Sequence, residues 1–140
     1  MSELQIYTSF VSARNIKRCV NTLNLIPVFA MKKLFNSDVI GAFSDTALHL
    51  HELSPSNELY HSYVDGELDL PGLYSGFNSE LEEKVDLKSL LYRFEVMAKV
   101  CGASGIVIMT YGRDPRKGYR PAISDYLNSS GLLEKPVYEI

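Results

Sequence analysis

A chain of 140 residues, 46% apolar and 22% charged, is long enough to bury a core without metal or disulfide support and fits one domain. A net charge of −3 excludes generic nucleic-acid binding, which needs many phosphate contacts from a basic surface, so any anion site must be a local cluster. No apolar run approaches a membrane span, and the opening Met-Ser-Glu-Leu-Gln-Ile-Tyr carries an acid where a secretory signal carries cations, so a cytoplasmic protein with no membrane partner is expected.

Gln5 to Ser9 reads as a strand that passes directly to a helix, because Ser12 is a good N-cap and Ile16, Cys19, Val20 and Leu23 share one helical face. Asn24 is a plausible stop. Ile26 to Ala30 is a second apolar strand, so the opening is strand, helix, strand, the pattern of a parallel pair with a crossover helix. For the stretch Lys32 to Leu53 the apolar positions Met31, just before it, and Leu34, Phe35, Val39, Ile40, Phe43 and Leu48 fit neither period, and it is expected to wrap over the sheet. Leu48 to Leu53 alternates, which would place His49 and His51 on one face of a strand, with His61 further on. A metal site needs a fourth ligand that the sequence does not offer, so surface or hydrogen-bonded histidines are expected, with no metal and no cofactor.

Ser54-Pro55-Ser56-Asn57 is a turn and cap cluster before a short helical patch through Leu59, Tyr60 and Tyr63, ended by Asp65-Gly66. Gly66 to Asn78, with Pro71-Gly72, reads as a long surface connection, either a lid over a pocket or an exposed loop. Asp86 then caps the strongest helix, whose stripe of Leu87, Leu90, Leu91, Phe94, Met97, Ala98 and Cys101 runs to the stop at Gly102. Burying that stripe contributes about 10 kcal/mol before entropy is subtracted. Cys19 and Cys101 both lie on apolar helix faces and are expected to be buried, unpaired and inert.

Ile106 to Met109 is too short for a helix and too uniformly apolar for a half-exposed strand, so it reads as a strand covered on both faces, as in parallel sheets. The loop that follows offers Arg113, Arg116, Lys117 and Arg120, with Gly112 and Gly118 allowing close backbone approach. A helix opened by Pro121 comes next, with Ile123, Tyr126 and Leu127 facing inward and Ser130-Gly131 at its end, before an edge strand at Val137 to Ile140. The expected fold is α/β: a three-layer single domain over residues 1–140 with a small, mostly parallel sheet.

Cations at the C-terminal end of a parallel strand are the chemistry of holding an anion. The expected ligand is a phosphate-containing small molecule, a nucleotide, with Arg113, Arg116 and Arg120 as forked donors and Lys117 as a point charge. Tyr7, Tyr111 and Tyr119 would stack on a base, and Thr8, Ser9 and Thr110 at the strand ends complete the candidate site. The competing reading makes the four cations a solvated loop paired with Asp114 and Asp125. A cysteine-independent enzyme acting on a nucleoside or nucleotide is the alternative function, with Tyr7, Asp114 and Glu52 as the nearest candidates. No Ser-His-Asp order, Walker motif or dinucleotide fingerprint accompanies them. Nine tyrosines and six phenylalanines leave room for a third class, a protein-interaction module, and a homo-oligomer of at least two copies is expected.

Tyr7-Thr8-Ser9, Ile26-Pro27-Val28, the Leu53 to Ser56 turn, Tyr60 to Gly66, the Tyr74 and Phe77 pair, the Asp86 helix and the Gly-Ile-Val-Ile strand occur in an order that resembles a bacterial and phage family, catalogued as domain of unknown function four-eight-eight. In that family the strand ends in a cysteine, and the loop runs through Asp-Pro to a Cys-His-Arg triplet. Here Asp114, Pro115 and Arg120 match, while Thr110, Gly118 and Tyr119 stand at the Cys and Cys-His positions. The resemblance implies the same α/β fold with its thiol chemistry lost and its anion-holding part retained. Its phage distribution implies a protein of the host cytoplasm that sequesters a nucleotide signal of host immunity.

Overall fold

A computed structural model describes residues 2–31 and 48–140. The apolar positions from Leu34 to Phe43, expected to wrap over the sheet, lie outside the described residues. In chain order the elements are β1 (Ile6–Phe10), α1 (Ala13–Lys17, continued by a π turn over Arg18–Thr22), β2 (Leu25–Phe29) and β3 (Leu48–His49). They continue with α2 (Asn57–Val64), α3 (Leu70–Lys84), α4 (Leu87–Cys101), β4 (Gly105–Thr110), α5 (Arg120–Asn128) and β5 (Tyr138–Glu139).

The strands form one sheet in the order β3-β2-β4-β1-β5, and every neighbouring pair is parallel. The strand expected to be covered on both faces is the central one. All six residues of β4 are buried, with Ile106 opposite Ile6 on one side and Ile26 on the other. Alternation along the strands divides the core in two. Ile6, Ile26, Val28, Ile106 and Ile108 face α3, α4 and α5, meeting Phe77, Leu81, Leu90, Phe94 and Ile123. Leu25, Phe29, Val107 and Met109 face the other way and meet Ile16 and Cys19 of the α1 segment. That is the three-layer α/β arrangement expected, with a wholly parallel sheet among the described strands.

Local signals explain most boundaries. The Ser12 hydroxyl accepts from the Asn15 N–H, Ser56 from Leu59 and Asp86 from Ser89, each satisfying a first-turn donor. Asn24 adopts a left-handed φ of 55°, and Gly102 ends α4 with φ 65°.

Three expectations are corrected. The connection from Gly66 to Asn78 is mostly helix, since α3 begins at Leu70. Asp69 caps the Gly72 N–H, Pro71 sits in the first turn where its missing N–H costs nothing, and Leu73, Phe77 and Leu81 form a fully buried stripe. Its glycines misled: a Cβ at Gly76 would lie 2.8 Å from Leu59 Cδ1, so this glycine permits close packing of α2 on α3. His49 and His51 do not share a strand face, because β3 stops at His49 and His51 opens a 3-10 turn ending at Leu53. His49 instead packs its ring against Phe29, centroids 5.3 Å apart. Cys101 is exposed, because burial along α4 ends at Ala98, one turn before the helix does.

Two measurements check this packing. A native-state thiol titration should find Cys101 reacting freely and Cys19 only on unfolding, since Cys19 is buried and desolvation raises its thiol pKa. Gly105→Ala would drive a Cβ into the Gln5 carbonyl oxygen, which is backbone and cannot step aside. Urea unfolding should show it less stable by about 1–3 kcal/mol with an unchanged m-value.

Candidate functional site

Parallel strands deliver their C-terminal ends to one edge of the sheet, and β1 and β4 leave that edge toward opposite faces, β1 into α1 and β4 into α5. Such a divergence opens a crevice at the strand ends. In this protein the crevice is filled by the Arg120 side chain.

Arg120 is 1% exposed, although it opens α5. Its Nη1 donates to the Thr110 hydroxyl at 3.1 Å and to the Gly112 carbonyl at 2.8 Å, and Nη2 donates to the Arg113 carbonyl. Nε donates to Glu139 of β5 at 2.9 Å, and Nη2 approaches the other carboxylate oxygen at 2.8 Å. Glu139 also accepts from the Thr8 hydroxyl at 2.7 Å, and that hydroxyl lies 3.3 Å from Ser124. One guanidinium therefore ties the ends of β4, β5 and, through Glu139, β1.

This placement separates the residues expected to bind a ligand together. Thr8, Thr110 and Arg120 are buried in the network, and Ser9 is buried beside it, donating to the Ile140 carbonyl and accepting from Asn15. Tyr7 lies on the opposite face of β1, packed on the cluster around Phe29. Of the remaining cations, Arg113 lies over the Phe10 ring at 5.6 Å, and Arg116 is 87% exposed and paired with Asp114 at 3.1 Å. Hydrogen bonds from Arg116 hold the Asp114 carboxyl below the usual carboxylate range. The competing reading of a locally paired loop thus describes Arg116, while Arg120 is paired with a glutamate 19 positions away in sequence.

Lys117, Tyr111 and Tyr119 do come together, on the wall of a cleft of about 840 Å³. The cleft lies beyond the C-terminal ends of β2 and β4, where Met31, Gly112 and Gly118 also line it. Ser54, Pro55, Asn57, Tyr60 and His61 close it from the turn before α2 and from α2 itself. Tyr119 shapes this wall. Its phenol donates to the Ala30 carbonyl at 2.6 Å, and its ring stands edge-on to Tyr60 (6.1 Å) and Phe77 (5.5 Å). The Tyr74 phenol donates to the Gly118 carbonyl at 2.7 Å, so α3 steadies the same loop.

Sequence reasoning missed the contribution of α2 and the partner of Arg120. Tyr60 and His61 read only as a short helical patch, because nothing local says that this helix faces the strand ends. Glu139 read only as part of an edge strand; its role depends on the Thr8 to Glu139 register, which the sequence does not display.

No family model, curated protein or solved structure matches the chain. Among the described residues no helix is long and apolar enough to cross a membrane.

Burial raises the Tyr119 phenol above the ordinary tyrosine pKa, with Tyr60 adding to the shift. A raised folded-state pKa contributes stability that is complete below the unfolded value near 10 and is lost as pH rises through the folded value. Tyr119→Phe should therefore be about 1–3 kcal/mol less stable than wild type at pH 7, having left the Ala30 carbonyl without its donor. In denaturant melts at stepped pH, that gap should narrow as the pH passes about 10.

Proposed function

We propose that the cleft beyond β2 and β4 binds a phosphate-containing small molecule of the nucleotide class. What carries the reading is the meeting of an aromatic wall with a cation at the C-terminal edge of a parallel sheet. Tyr60, 40% exposed, offers a ring face to a base, with Tyr111 and Tyr119 completing the wall. Lys117 offers a point charge to phosphate, and Gly112 and Gly118 leave the backbone open to close approach. A volume of about 840 Å³ falls in the range of small-molecule sites.

Binding is favoured over turnover. The enzymatic alternative rests on Tyr7, Glu52 or Asp114 reaching the ligand, and none of the three lines the cleft. Asp114 is engaged by Arg116. The resemblance to the phage family adds a role: holding a nucleotide signal of host immunity without consuming it. Within that resemblance Tyr119, at the position of a family histidine, is a wall residue held by Ala30, and Arg120 is the internal tie of the strand ends.

Calorimetry against a panel of mono-, di- and cyclic nucleotides tests the proposal. At least one should bind with a Kd below about 1 mM. Tyr60→Ala should weaken it about tenfold through lost stacking, and Lys117→Ala by a similar factor through the lost charge. Arg116→Ala, turned away on its own aspartate, should leave affinity unchanged. Ligand recovered after denaturation should keep its mass. Absence of any binding at millimolar concentration, or indifference to both cleft substitutions, would sink the reading.

A further inference from the structure

The contacts of Glu139 have the form of a ligand complex. Its carboxylate receives Nε and Nη2 of Arg120 and the hydroxyl of Thr8, four contacts of 2.7–3.0 Å in all. Arg120 is held to that geometry from behind by the Thr110 hydroxyl and the Gly112 and Arg113 carbonyls, so its donors stay aimed whether or not Glu139 is present. The carboxylate comes from outside the cradle. It belongs to β5, an edge strand in register with β1 at Tyr138 and Glu139, both of them exposed. The Glu139 side chain is itself 35% exposed, so water reaches it. Val137 is buried and anchored to Asn128 by two hydrogen bonds, and Ile140 is held to the Thr8 carbonyl and the Ser9 hydroxyl, so the strand stays in place on either side while the Glu139 side chain can turn out to solvent.

We propose that Arg120 and Thr8, with Ser124 beside the Thr8 hydroxyl, form an oxyanion site, distinct from the cleft, which Glu139 occupies as an internal substitute for a free phosphate or carboxylate group. A forked guanidinium with a hydroxyl beside it suits either group. Glu139 competes at the high effective concentration of a tethered group, so an external anion enters when its side chain swings out to solvent. Because Arg120 also holds the carbonyl of Gly112, a cleft residue, exchange of the anion is felt at the cleft wall.

The test uses the full chain carrying Glu139→Ala, with inorganic phosphate as the probe and sodium chloride of equal ionic strength as the control. Phosphate at about ten times its Kd should raise the melting temperature of Glu139→Ala by about 3 °C more than that of wild type. The Arg120 Nε–H resonance should shift saturably in the same titration. Adding Thr8→Val should diminish both effects. Equal shifts in wild type and Glu139→Ala overturn the proposal, as does a shift that survives Thr8→Val, which would belong to surface cations. Should Glu139→Ala fold only with phosphate present, the site is supported. Should phosphate fail to rescue an unfolded Glu139→Ala, and fail to shift a folded Glu139→Gln beyond wild type, the cradle accepts only its own carboxylate and the proposal falls.

Discussion

The Arg120 guanidinium, buried at the C-terminal edge of the sheet, is the constraint on which the rest of the site depends. A charge there costs several kcal/mol in desolvation unless its donors are met, and removing one member of a buried pair costs about 3–5 kcal/mol. Here each nitrogen has a partner, and those partners fix three things at once. The Thr110 hydroxyl fixes the end of β4, Glu139 fixes β5 against β1, and the Gly112 and Arg113 carbonyls fix the start of the loop. The cleft loop is therefore not an appendage. It is tied at its start by Arg120, near its end by Tyr74 through the Gly118 carbonyl, and across to β2 by Tyr119 through the Ala30 carbonyl.

This tying explains how four neighbouring cations come to have four different surroundings. Loop geometry sends Lys117 to the cleft, Arg116 back onto Asp114, Arg113 over Phe10 and Arg120 into the interior. Charge density in sequence did not become charge density in space. A pocket with an aromatic wall and one of the four cations is better matched to a ligand recognised by shape and stacking than to one held by a cluster of guanidinium groups.

The layers of the fold were legible because the signals were local. Ser12, Ser56 and Asp86 announce helix starts, Gly102 announces a stop, and the uninterrupted Ile106 to Met109 run can only be a strand covered on both sides. Glycine and proline carry two meanings, and between Gly66 and Asn78 they serve a helix start and a close helix contact as readily as a loop. A glycine that admits a neighbouring leucine and one that turns a loop look alike until the partner helix is in place. The site was half legible. Its position at the strand ends followed from parallel topology, and Lys117, Tyr111 and Tyr119 were found, but Tyr60 and His61 arrive from a helix some fifty residues earlier. The internal pairing of Arg120 turned on a strand register that no local pattern encodes.

The strand order also bears on how the chain emerges during synthesis. β1 and β2 do not pair with each other; each meets β4, which begins at Gly105. The pairing of β1 and β2 with β4 therefore waits until roughly the last quarter of the chain is available, and among the described residues no hairpin acts as an early scaffold. Until then β2 has only the two-residue β3 beside Val28 and Phe29, and Ile6 and Ile26 are apolar positions awaiting β4, with helices such as α4 able to form on their own stripe. An interval of that kind is when a chaperone or a misplaced strand would compete for the nascent protein. The arrival of β4 then closes the sheet from its middle outward.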